Sequence, residues 1–208
     1  WTIYTPVETL PSQPLEPGRR AGLLTSAWML FYNTMFTAIP RSTAAQAYRA
    51  YLNFDIALQE GLTYDTPEPI DYDGAGVTGE GCIGCHRTIE ALTGPFTRYN
   101  GLQGPNYQYN PSRMALFGLP EVPESGVVLG QPVADLLEWA EVAANSDEFY
   151  RAVTADYWKL LVGRAPSPED PAMFEEYTIL WQSLRDDSAH MVNRMLHELI
   201  DTEAYGAP

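Results

Sequence analysis

Basic residues, cysteine, histidine and long apolar runs are all scarce in this 208-residue sequence, and each shortage narrows what the chain can be. Twelve Lys and Arg stand against 27 Asp and Glu, for a formal charge of −15 and a pI near 4.4. A nucleic-acid binder must neutralise phosphates with Lys and Arg, so that class is disfavoured. An acidic surface suits a basic redox partner, or serves solubility. Two cysteines and three histidines leave little material for a four-ligand zinc site. The longest charge-free run, residues 21–40, lies between Arg19, Arg20 and Arg41 and approaches the length of a membrane span. Thr25, Ser26, Asn33, Thr34 and Thr37 make it too polar for one, and a buried helix is the expectation. No internal repeat, heptad run or strand ladder is evident. The sequence begins at Trp1 and shows no signal peptide, so export is not read from its start.

What is present points to a mainly α protein with a packed core. Aromatics make up 12 %, with 13 Tyr and 5 Trp, which is not a disordered composition. Seventeen prolines and 16 glycines predict long loops between helices. Residues 1–18, with Pro6, Pro11, Pro14 and Pro17, read as an extended arm. A helical region and an acidic linker follow over 19–74. It holds a helix over 20–37 ended by Pro40, and a second from an N-cap at Ser42 to about Leu58. Residues 61–81 form a Gly/Pro-rich lead to Cys82. A short helix over 83–92 stops at Gly94-Pro95. Residues 94–131 are irregular, and a loop of that length is usually functional. A helix is predicted over 132–144, with Pro132 near its start. Residues 75–145 thus form a central unit. Residues 146–208 add three helices: from Ser146 to Gly163, over 172–184 after Pro171, and from Ser188 to about Thr202.

The chemistry sits in Cys82-Ile83-Gly84-Cys85-His86, the Cys-x-x-Cys-His spacing of covalent haem attachment. One helical turn sets two thiols to reach the two vinyl groups of one porphyrin. The next residue places an imidazole at the iron from the same side. A thioredoxin-like pair would need a strand before the motif, and the preceding Gly/Pro/Asp segment is not one. His190 and His197 lie seven apart, outside the usual zinc spacing. A plain disulfide would account for the cysteines but not for His86. The expected cofactor is therefore one covalent haem c, with His86 as an iron ligand.

The segment after the motif resembles class I cytochromes c, in Gly94-Pro95-Phe96 and in Met114 within Ser112-Arg113-Met114-Ala115-Leu116-Phe117-Gly118. The resemblance implies a cytochrome c-like core, with a Pro95 carbonyl orienting His86 through its other ring nitrogen. It also implies Met114 as the sixth ligand. Met29 and Met35 on the first helix remain alternatives, as do His190 and His197. On a helical wheel both histidines fall opposite the apolar face formed by Val192, Met195, Leu196 and Leu199, which suits a solvated surface.

Nearly the whole chain, about residues 19–205, also resembles the C-terminal cytochrome region of large secreted haem proteins of the planctomycete and myxobacterial type. The shared order runs through Arg20-Ala21-Gly22-Leu23-Leu24-Thr25, Cys82-Ile83-Gly84-Cys85-His86-Arg87-Thr88-Ile89-Glu90, then Leu160-Leu161-Val162-Gly163-Arg164 and Asp201-Thr202-Glu203-Ala204-Tyr205. It departs from that pattern over 104–123.

Three functions compete. An electron carrier would keep both axial positions filled, with Phe96, Tyr99, Tyr107, Tyr109 and Phe117 walling the haem. A peroxidase- or oxidase-like enzyme needs an open sixth site with polar groups above the iron, for which Arg98 and Arg113 are candidates. A structural subunit of a larger redox assembly would use the N-terminal arm for docking. Electron transfer to a redox protein or a membrane redox complex is the leading expectation. Covalent haem attachment generally takes place outside the cytoplasm, so a periplasmic or extracellular location is expected.

Overall fold

The computed structural model describes residues 15–26, 28–30, 38–56, 68–100, 109–187 and 189–206. The chain is mainly helical. In order, the helices are α1 (Arg41–Leu52), α2 (Ile83–Thr93), α3 (Leu136–Ala144), α4 (Asp147–Val162), α5 (Pro171–Asp186), α6 (Val192–Ile200) and the single turn α7 (Glu203–Gly206). Shorter 3₁₀ turns lie at Pro17–Arg19, Gly22–Thr25, Gly94–Phe96 and Arg113–Phe117.

Local chemistry explains most boundaries. The Asp135 carboxylate accepts from the backbone N–H of Leu137 and Glu138, at 2.9 and 3.0 Å, and caps α3. Ser146 caps α4 by accepting from Phe149 N–H. Asp170 caps α5, whose first residue is Pro171. Gly163 ends α4 in the left-handed conformation that suits glycine.

Several expected elements differ from those formed. Residues 20–26 are not α-helical: Gly22 sits at φ +56° and Thr25 bonds Ala21 N–H and the Gly22 carbonyl. Helix appears at 28–30, where Ser26 Oγ accepts from Met29 N–H in the manner of an N-cap. α1 begins at Arg41 with no side-chain cap and ends at Asn53 in the left-handed region, short of Leu58. Pro132 is not in a helix. It belongs to a hairpin of β1 (Gly126–Val128) and β2 (Gln131–Val133), antiparallel with Val127 opposite Pro132. Leu129 and Gly130 turn the hairpin with positive φ at both positions. Three-residue strands carry no alternation long enough to read from sequence. The last long helix starts at Val192; Ser188, its expected cap, lies outside the described residues.

The apolar interior forms two main clusters. The first gathers α1, α2, the hairpin and α3 around Trp139, whose ring meets Tyr48 and Phe96 edge-on at 5.7 Å each. Each such pair adds about 0.5–1.5 kcal/mol beyond the area it buries. Tyr48 Oη donates to the Val127 carbonyl and accepts from Leu129 N–H, tying α1 to the hairpin. The second cluster is the helical bundle α4–α7, centred on Trp158, Leu180, Trp181 and Met195. Phe149, in the first turn of α4, packs against both clusters. A small third cluster joins Ile39, Met114 and Val122, with Tyr72 and Leu119 against it.

Candidate haem-attachment site

The motif stands at the entrance of α2. Gly81, at φ +86°, makes the bend before it. Cys82 and Ile83 N–H both bond to the Gly79 carbonyl, and His86 N–H closes the first turn onto the Cys82 carbonyl at 3.1 Å. Cys82, Cys85 and His86 therefore share one helical turn. Both thiols are free and exposed. From 81 to 90 no residue is fully buried, and α2 becomes buried only at Leu92 and Thr93.

His86 is tied down by its neighbour one turn on. Its Nδ1 lies 2.9 Å from Glu90 Oε1. Glu90 in turn accepts from Arg41 Nε at 2.6 Å, and Arg41 grips Asp73 with both terminal nitrogens, at 2.7 and 3.2 Å. Burial alone would lower the Arg41 pKa, but the hydrogen bonds and charges of Asp73 and Glu90 outweigh it and raise it. The Arg41 hydrogen bond, assisted by its charge, holds the Asp73 carboxyl below its ordinary range against the opposing effect of burial. A chain of four side chains thus links α2, the first residue of α1 and the loop before the motif.

The other candidates sit elsewhere. Pro95 is buried, and its ring lies against Gly126: a Cβ built there would come within 2.4 Å of Pro95 Cδ. The Nδ1 partner that the resemblance assigned to the Pro95 carbonyl is the Glu90 carboxylate in this structure. Met114 is buried in the third cluster and lines a cleft of about 190 Å³ with Arg98, Ser112 and Leu119. Tyr72 connects that cluster to the motif side. Burial raises the pKa of its phenol, and the nearby Glu90 charge raises it further. Met29 is buried in the first cluster, while Met35 and Tyr107 lie outside the described residues. His190 and His197 are exposed, and His190 Nδ1 lies 3.3 Å from Tyr150 Oη. Met195 and Leu199 are buried on the opposite side of α6, and Met191 is exposed.

The two arginines considered for a distal role are used by loops. Arg98 donates to the Pro111 and Val122 carbonyls and to Glu121. Arg113 is buried, donates to the Ala38 carbonyl at 2.6 Å and lies over the Phe117 ring. Its desolvation pushes its pKa down to about 10. Phe96 and Tyr99 are in the first core, and Tyr99 stacks edge-on with Tyr109.

Sequence reasoning missed Glu90, Arg41 and Asp73. A His–Glu pair four apart on a predicted helix was a visible signal for Glu90. Arg41 lies 49 residues from Glu90, and no local pattern joins them.

Among the described residues, no group of three or more His, Cys, Asp or Glu could hold a metal ion, and no helix is long and apolar enough to cross a membrane. Comparison with protein-family models, with curated proteins and with solved structures returns no match.

The donor set suits a c-type haem. Two free thiols and an imidazole emerge from one turn, on a stretch of helix left uncovered on its outer side. Because Nδ1 of His86 faces Glu90, Nε2 is the nitrogen left for an iron.

Proposed function

We propose that this chain is a monohaem c-type cytochrome acting in electron transfer, outside the cytoplasmic membrane. The observation that carries the reading is the Cys82–Cys85–His86 turn: both thiols exposed and unbridged, with the imidazole oriented through Nδ1. In this reading Cys82 and Cys85 hold the porphyrin by thioether bonds, and His86 ligates through Nε2. When bound, the haem supplies a one-electron ferrous/ferric couple. Its covalent hold lets the exposed helix face present a haem edge without loss of the group. The commitment of Arg98 and Arg113 to loop carbonyls favours electron transfer over a peroxidase-like reaction. The charge of −15 suits a basic redox protein or a basic face of a membrane redox complex as partner.

The test is direct. Expressed behind an added export signal in a host competent for cytochrome c maturation, the exported chain should acquire haem. After denaturation it should keep one added haem mass by mass spectrometry. An unmodified mass from such a host defeats the reading.

Met114 is the proposed sixth ligand. Its burial makes Met114→Ala a poor probe, because a cavity there costs about 2–5 kcal/mol by itself. Met114→Leu conserves volume at a cost below about 1.5 kcal/mol and removes only the sulfur. In the haem-loaded protein it should abolish the long-wavelength sulfur–iron charge-transfer band, lower the potential and open the ferrous form to rapid carbon monoxide binding. An unchanged spectrum assigns the position to another group.

A further inference from the structure

We propose that Glu90 is a positioning residue that holds His86 through Nδ1 and lowers the potential of the haem, with Arg41 opposing it through the same carboxylate oxygen. This rests on the c-type reading of the motif.

A His–Glu pair at i, i+4 on an exposed helix is common and contributes little. This pair differs in two respects. The Glu90 side chain is only 11 % exposed, so solvent screens its charge weakly. It is also fixed: Arg41 Nε donates to the same Oε1 atom that meets His86, and Arg41 is held in place by its two-pronged bond to Asp73. The carboxylate therefore has one well-defined position one turn above the ligand.

The consequence follows from the acceptor's charge. An imidazole that binds iron through Nε2 donates its Nδ1–H to whatever faces it. A carboxylate draws that proton more strongly than a neutral carbonyl, gives the ring anionic character and strengthens its donation to the metal. Ferric iron gains more from this than ferrous iron, so the potential falls. Arg41 draws density from the same oxygen and weakens the pull. Glu90 and Arg41 thus set the potential in opposite directions.

The experiment is potentiometric titration of the haem-loaded protein with three variants: Glu90→Gln, Arg41→Gln and the double substitution. Glu90→Gln keeps the shape and an acceptor oxygen but removes the charge. It should shift the ferrous/ferric equilibrium toward ferrous by roughly tenfold, about 59 mV for one electron. Arg41→Gln should lower the potential. In the double variant the Arg41→Gln shift should shrink, because its effect passes through the Glu90 charge. A Glu90→Gln protein with covalent haem and an unmoved potential overturns the proposal. So do shifts of the same sign in both single variants, or additive shifts in the double. If Glu90→Gln does not accumulate, Arg41→Gln alone decides: a lowered potential supports the proposal and an unmoved or raised one overturns it. A wild-type chain with no haem mass overturns this proposal together with the c-type reading, whereas loaded protein indifferent to Glu90 overturns this proposal alone.

Discussion

In the proposed c-type reading, combining Cys82→Ala with Cys85→Ala should abolish covalent haem, leaving the denatured chain at its unmodified mass. Each single substitution should weaken attachment and leave one thioether. The expected effect is complete because the sequence holds only these two cysteines. It is also cleanly separable from folding. Both thiols are exposed, and residues 81–90 bury nothing completely, so no cavity opens when sulfur is removed. Alanine is the best helix former, so α2 is not weakened at Cys85. Far-UV circular dichroism and denaturant midpoint of the haem-free double variant should match those of the haem-free parent. His86 remains in place, and any haem retained by the double variant should therefore extract into acidified solvent, which thioether-bound haem does not.

The second large effect concerns Gly94. A Cβ built on Gly94 would lie 1.9 Å from the Ser125 carbonyl oxygen and 2.8 Å from its carbon. These are backbone atoms and cannot rotate aside. The dihedral angles of Gly94 are ordinary right-handed helical ones, so alanine fits the local conformation and the penalty is purely steric. The end of α2 would have to move away from the chain entering β1, at a cost of about 3 kcal/mol. Denaturant unfolding of the haem-free chain measures it. Gly84 provides the contrast on the same helix. Nothing lies within 4 Å of its Cβ position, so Gly84→Ala should stabilise by up to about 1 kcal/mol. If Gly94→Ala proves no worse than Gly84→Ala, the close approach of α2 and β1 is wrong.

That contact also explains why Gly94-Pro95 follows the motif. The dipeptide lets backbone meet backbone: Gly94 admits Ser125, and Pro95 rests on Gly126. Its resemblance to a ligand-orienting turn was readable in the sequence, but its packing partner was 31 residues away and was not. The same division runs through the molecule. The helix start at Asp147 and the stop at Gly163 were legible because Ser146 and Gly163 act on their immediate neighbours, whereas the helix expected from 172 begins one residue earlier, at Pro171, capped by Asp170. That Cys82, Cys85 and His86 share one helical turn was legible because their spacing spans a single turn. The first predicted helix began too early because apolar content over 20–26 outweighed the left-handed Gly22. Pro132 suggested a helix start, yet a two-stranded hairpin accepts proline opposite Val127 where it removes little. Glu90 was half legible: its spacing from His86 is local, but the Arg41 bond that gives the pair its rigidity depends on tertiary packing.

Phe149 has a role that neither half of the chain holds alone. Its ring is a party wall between two interiors. Severing the chain just before α4 would leave the first interior with an aromatic-sized breach and the bundle with an exposed flank. Two cores that share masonry are not interchangeable modules: removing the bundle would bare apolar surface on the first interior.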